Sequence, residues 1–241
     1  MIKLDKLTKY FNSLRVIEDV NFEINKGESL SVIGPSGCGK STLLRLLIRI
    51  EEPTAGRILI DGKDISLFST DEINNLRKKM GMIFQSSALF DSMNVFENVA
   101  FALRLHASLS EREIASIVKE KLRLVDLVGS ERLMPEELSG GMLKRVSIAR
   151  ALAFDPITIL YDEPTTGLDP ITSVTIENLM IKLSKELKVT SIIVTHVLQT
   201  VYRVSSRIVM LNEGKFIETG TPEQTQKTND PIVKKFITGG L

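Results

Sequence analysis

Eight residues, Gly34-Pro35-Ser36-Gly37-Cys38-Gly39-Lys40-Ser41, carry the densest chemical signal in the chain. They fall between Ser29-Leu30-Ser31-Val32-Ile33, read as a strand, and Thr42-Leu43-Leu44-Arg45-Leu46-Leu47-Ile48, read as a helix. Glycines let successive backbone N–H groups turn inward around an anion, and the following helix presents its positive N-terminus to the same anion. This is the phosphate-loop pattern in its expected setting. Lys40 is expected to reach the β and γ phosphates of a nucleotide, and the Ser41 hydroxyl to ligate Mg2+. A glycine turn that merely links strand to helix is the alternative, and the strand-loop-helix context weighs against it. Cys38 occupies a free position of the pattern and is read as a loop residue rather than a redox centre.

A second feature is Ile157-Thr158-Ile159-Leu160-Tyr161-Asp162-Glu163-Pro164, an apolar strand ending in adjacent carboxylates. Neighbouring side chains alternate along a strand, so the two acids can take different tasks. Asp162 is expected to hold Mg2+ through its water shell, and Glu163 to polarise an attacking water as general base. Alone, such a pair describes a solvated strand end; with a phosphate loop upstream it points to nucleotide hydrolysis. A third feature, Leu138-Ser139-Gly140-Gly141-Met142 before Leu143-Lys144-Arg145-Val146-Ser147-Ile148-Ala149-Arg150, is another Ser/Gly helix start that could bind an anion. By itself it reads as an ordinary helix cap.

These motifs together resemble the ATP-binding cassette (ABC) ATPases over nearly the whole chain, Leu138 to Met142 being similar to their signature sequence with Met142 where the family usually has Gln. The resemblance implies a P-loop NTPase fold of the ABC type, with ATP and Mg2+ as its cofactors. Gly34, Pro35, Ser36, Gly37, Cys38, Gly39, Lys40, Ser41 and Thr42 would hold the nucleotide. Gln85, in Ile83-Phe84-Gln85-Ser86, resembles the glutamine that contacts metal and water, and His196 the switch histidine at the γ phosphate. Catalysis would rest on Glu163, His196, Gln85 and Lys40, and the metal on Ser41, Gln85 and Asp162. Phe11 is placed like the aromatic residue that stacks on adenine, with Tyr10 as the alternative. Gly167-Leu168-Asp169 resembles the loop that crosses to a second monomer. In the implied head-to-tail homodimer, Ser139, Gly140 and Gly141 of one copy close on the ATP of the other. A guanine-reading Asn-Lys-x-Asp motif is not found after the phosphate loop.

Residues 84–101, 133–142 and 230–236 further resemble the ATPases of Mla and Mce-type lipid transporters, which implies permease subunits, an Mce-domain lipid-binding protein and a small regulatory subunit as partners. Residues 86–99 are apolar and aromatic in an expected surface loop, suited to a groove for a permease helix, although some could fill the chain's own core. An ATPase of an amino-acid or other small-solute importer is the second reading. A mechanical ATPase of translation or DNA repair is a third; near-neutral charge and the lack of a long coiled-coil insertion weigh against it.

The elements that must position these motifs follow from the rest of the chain. It has 241 residues, 43% hydrophobic and 25% charged, with 31 Lys and Arg against 30 Asp and Glu, a balance that suits a folded domain and not a nucleic-acid binder. A single cysteine and two histidines argue against a disulfide framework or a zinc centre. No apolar run is long enough to span a bilayer and the first residues lack a secretory leader, so a cytoplasmic address is the expectation; the family resemblance implies a peripheral subunit on the cytoplasmic face of the inner membrane. Early strands are expected at Ile2-Lys3-Leu4, residues 17–24 and residues 56–62, forming an antiparallel β subdomain. Residues 157–161, 191–195 and 208–211 read as buried strands and residues 172–187 as a helix, which together imply an α/β fold with a mainly parallel sheet. Between them Ile114, Ile117, Val118, Leu122 and Val125 recur at helical spacing. The expected organisation is one ABC domain over residues 1–241, with a core lobe of about 1–86 and 155–241 and a helical lobe of about 87–154.

Overall fold

The computed structural model describes residues 1–239. Two sheets form its frame. The first is antiparallel, with strands β1 (Ile2–Phe11), β2 (Leu14–Ile24), β4 (Ala55–Ile60) and β5 (Lys63–Asp64) in the order β2-β1-β4-β5. The second holds β3 (Ser29–Ile33), β6 (Met80–Ile83), β7 (Thr158–Asp162), β8 (Thr190–Val194), β9 (Arg207–Asn212) and β10 (Lys215–Gly220), ordered β10-β9-β3-β8-β7-β6. Five of these strands run parallel, and β10 joins the edge antiparallel to β9.

The central strands β7 and β8 are buried along their whole length and β3, β6 and β9 along most of theirs, which is why they read as near-continuous apolar runs. One core lies between the two sheets, where Leu4, Ile17 and Ile58 meet Leu30, Leu160 and Ile192 and the apolar face of α1 (Lys40–Leu47). The opposite face of the large sheet is covered by α3 (Val95–His106), α4 (Glu111–Leu124), α5 (Gly140–Ala151) and α6 (Pro170–Leu187), through Val99, Val118, Val146, Ile159, Tyr161 and Ile176. A third cluster seats α7 (Leu198–Val204) and α9 (Pro231–Ile237) against Ile33, Ile208 and Met210. Two helices complete the chain, α2 (Thr70–Lys78) and α8 (Pro222–Gln226).

Most helices start at side-chain caps that could be read in the sequence. Ser69 with Glu72, Asn94 with Glu97 and Ser110 with Glu113 form capping boxes, and Asp169 accepts from the N–H groups of Ile171 and Thr172. The large sheet closes against α5 through Gly81, where a β-carbon would stand 2.6 Å from the carbonyl oxygen of Ala151. The first strands run longer than expected, β1 reaching Phe11 and β2 beginning at Leu14, because the register shifts along β1 let the pair stay bonded through irregular positions. No helix among the described residues is long and apolar enough to cross a membrane.

Candidate active site

The topology brings four strand ends to one edge. β3 and β7 flank β8 in parallel register, Val32 facing Val194 and Val194 facing Asp162, and β6 follows with Ile83 facing Tyr161. The phosphate loop therefore leaves β3 beside His196, which leaves β8, Glu163, which leaves β7, and Gln85, which leaves β6. A cavity of about 300 Å³ at this edge is lined by Ser36, Gly37, Gly39, Lys40, Ser41, Thr42, Gln85, Glu163 and His196.

Within the loop, Gly39 takes φ 108° at the start of α1, and a side chain there would meet Val16 at 2.3 Å. No side chain caps this helix. Its first N–H groups are thus available to an anion. Lys40 is buried and donates to the carbonyl oxygens of Gly34 at 2.8 Å and Pro35 at 2.9 Å, holding its ammonium over the loop. Burial pushes the Cys38 thiol up, with Lys40 opposing, the reverse of the shift that makes a thiol reactive.

The two acids stand in opposite environments. Asp162 Oδ1 accepts from Ser41 Oγ at 2.7 Å, and burial raises its carboxyl above the usual range despite that bond. Glu163 is buried too, which pushes its carboxyl up, but hydrogen bonds from His196, Thr195 and Thr166 outweigh the burial and hold it below the usual range. Those bonds measure 2.8 Å to His196 Nδ1, 2.8 Å to Thr195 Oγ1 and 2.9 Å to Thr166 Oγ1. Glu163 has φ 47°, a left-handed backbone that costs a non-glycine residue about 1–3 kcal/mol and marks a site where geometry is imposed. Its N–H is tied to Val194 O at 2.9 Å, so β8 fixes the turn.

Hydroxyl, carboxylate and side-chain amide oxygens are hard donors of the kind Mg2+ takes, and Ser41, Asp162 and Gln85 supply them from three adjacent elements. Among the described residues no cluster of three or more His, Cys, Asp and Glu side chains could cage a metal alone. The site fits Mg2+ held partly by the chain and partly by phosphate and water.

Ser139, Gly140 and Gly141 lie apart from this cavity. Ser139 caps α5 by accepting from the Met142 N–H at 3.3 Å, and Gly140 and Gly141 lie close to Leu168 and Thr172. Phe11 is 39% exposed with the Lys9 ammonium 4.5 Å from its ring, whereas the Tyr10 hydroxyl bonds Glu18 at 3.3 Å. The exposed ring is the one open to a ligand face, although neither residue lines the cavity. Sequence reasoning missed Thr166 and Thr195, whose hydroxyls bond Glu163, and Lys144, which donates to the carbonyl oxygens of Phe84 at 3.1 Å and Gln85 at 2.8 Å. Burial brings the Lys144 ammonium down to about 8, with Asp162 pulling the other way. A threonine at a strand end or a lysine in a helix gives no signal of its own.

Comparison with known proteins places the chain. The ABC transporter domain pattern matches residues 17–166. The chain belongs to the ABC transporter family. Its sequence is 41% identical over 239 residues, 99% of this chain and 90% of the relative, to the intermembrane phospholipid transport system ATP-binding protein MlaF of Haemophilus influenzae. It is 44% identical over 250 residues to the methionine import ATP-binding protein MetN 2 of Bacillus cereus, covering all of this chain and 74% of that one. Among solved structures, a dimeric ATP-binding cassette in a post-hydrolysis state with ADP and Pi superposes with a TM-score of 0.81 at 34% identity, over 90% of this chain and 98% of the other. The chain is an ATPase subunit of an ABC transporter, as its sequence predicts.

The bonds to Glu163 make a prediction. Thr195→Val removes one donor to its carboxylate; a hydrogen bond to a charged group contributes about 1.5–3 kcal/mol, so kcat should fall about tenfold or more while ATP affinity is unchanged. Steady-state ATPase kinetics beside an ATP binding titration check it.

Proposed function

We propose that this ATPase drives lipid transport between membranes. Supporting this is where the lipid-transporter resemblance falls: two of its three stretches are hydrogen-bonded to each other, and the first of them also lines a groove. The Val95 N–H donates to Leu133 O and the Phe96 N–H to Glu131 O, both at 2.9 Å, which ties the loop before α5 to the start of α3. Asn98, fully buried, pins the intervening turn through the Phe90 N–H and the carbonyl oxygens of Phe90, Met93 and Asn94. The groove alongside has a volume of about 470 Å³ and is lined by Phe84, Ala88, Phe90, Ala102 and Phe154, with Arg77, Lys78 and Arg150 among its polar residues. An apolar floor with a basic rim suits a permease helix. The MlaF relative, named for phospholipid transport, supports the same reading.

In this reading the core lobe, about 1–86 and 155–241, binds ATP, and the helical lobe, about 87–154, presents the signature turn. Residues 34–42 cradle the phosphates, Phe11 stacks on adenine, and Ser41, Asp162 and Gln85 hold Mg2+, which neutralises charge on the phosphates when bound. Glu163 accepts the proton of the attacking water, with Thr166 and Thr195 fixing its carboxylate and His196 shared between it and the γ phosphate. Two copies close head to tail with Ser139, Gly140 and Gly141 over the partner's ATP. Closure depends on the γ phosphate, so ATP joins the copies and hydrolysis releases them. The subunit then sits on the cytoplasmic face of the inner membrane against separate permease subunits, with an Mce-domain protein and a small regulatory subunit in the same assembly.

A small-solute importer is the second reading, favoured by the match of the whole of this chain to 74% of the methionine import relative. Affinity purification of the tagged chain with its membrane complex, followed by mass spectrometry of proteins and lipids, separates the two. An Mce-domain protein with bound phospholipid is the expected outcome; a solute-binding receptor without bound lipid would replace it with the importer. For the catalytic assignment, Glu163→Gln should bind ATP, form an ATP-dependent dimer on size-exclusion chromatography and lose about 100-fold or more in turnover. Undiminished turnover would remove Glu163 from the role of base.

A further inference from the structure

Lys144 is a buried cation to which none of the roles above gives a task. It lies in the second turn of α5, 2% exposed, and its two bonds go to backbone carbonyls at the end of β6 rather than to a carboxylate. Burying an ammonium costs more than burying an apolar chain of similar length, so packing alone does not explain it. Farther along the same helix, Arg150 grips the next part of the segment, with Nη1 2.7 Å from Ala88 O and Nη2 2.8 Å from Ser87 O. At the second grip the backbone itself passes through two consecutive left-handed residues, Ser87 at φ 62° and Ala88 at φ 49°, a course that requires outside support. Four carbonyls of residues 84–88 are thus held by two cations of one helix. That helix begins at Ser139, Gly140 and Gly141, and the segment it holds carries Gln85, which lines the nucleotide cavity.

We propose that Lys144 is a positioning residue that ties the Gln85 segment to α5, so that a shift of Gln85 at the nucleotide is carried rigidly to the signature turn offered to the partner's ATP. This rests on the head-to-tail dimer reading. An apolar residue at 144 fills the space but leaves the Gln85 carbonyl without the donor it has from α5 and the Phe84 carbonyl with the Ser87 N–H in place of a tie to α5, and Arg150 alone then holds only residues 87 and 88.

The test compares Lys144→Met with Lys144→Arg, each with and without Glu163→Gln. Lys144→Met should bind ATP within about twofold of the parent, yet lose about tenfold in kcat and about tenfold in ATP-driven dimerisation of the Glu163→Gln chain; Lys144→Arg, which keeps the donors, should recover most of both. Independently, amide exchange of the unmodified chain should show ATP changing protection at residues 84–88 and 139–144 in step. Unaltered turnover and dimerisation of Lys144→Met, or ATP protection confined to one of the two segments, overturns the tether. Should the Glu163→Gln parent stay monomeric with ATP, the dimer reading fails instead, and the paired exchange alone decides the tether.

Discussion

The parallel hydrogen bonding of β3, β8 and β7 is the constraint on which the rest depends. Val32, Val194 and Asp162 stand level across three strands, so the residues just beyond each strand end meet at one edge. A slip of one residue in β8 would displace His196 by about 3.3 Å, longer than the whole distance that joins it to Glu163. β7 and β8 are buried along their whole length, so a slip would force every side chain of β8 out of the close packing it makes on both faces. The apolar runs that make this sheet are therefore as much a part of the chemistry as the side chains at its edge.

On that edge the chain treats neighbouring carboxylates in opposite ways. Burial disfavours the charge of Asp162, a penalty that a cation beside it would remove, and Ser41 is already in place at the same point. Glu163 is kept ionised by three donors and is backed into a left-handed turn that β8 secures. One acid is suited to a metal and the other to a proton. Divergent environments for adjacent titratable groups are the usual mark of divided labour.

The phosphate loop, the acid pair and the signature turn were legible because each joins glycines or charges to a strand-to-helix junction. Strands β3, β7, β8 and β9 and helix α6 were legible from apolar runs, with ends off by one or two residues. Others were not, β5, β10, α2 and α7 among them. β10, Lys215–Gly220, lies half-exposed at the sheet edge and lacks an apolar run. α2 buries only Ile73 and Leu76, though its Ser69 and Glu72 capping box was available. α7 is a short helix of 7 residues. Within the site, Thr195 and Lys144 act through hydrogen bonds whose partners lie 32 and 59 or 60 residues away, and no local pattern encodes such pairs; Thr166 bonds Glu163 three residues back, across a turn that no apolar periodicity marks.

The cavity is lined by the phosphate loop, Glu163 and His196, while Ser139, Gly140 and Gly141 stand apart, and in the proposed dimer a second copy supplies those three residues. Mixing two inactive variants tests this most directly. Lys40→Ala removes the phosphate-loop ammonium and Ser139→Arg blocks the signature turn; each chain alone should hydrolyse ATP poorly. Combined, they form heterodimers holding one intact site, built from the Ser139→Arg chain's phosphate loop and the Lys40→Ala chain's signature turn, and ATPase activity should return. A mixture no more active than its components would show that each site is completed within one chain, and would contradict the account.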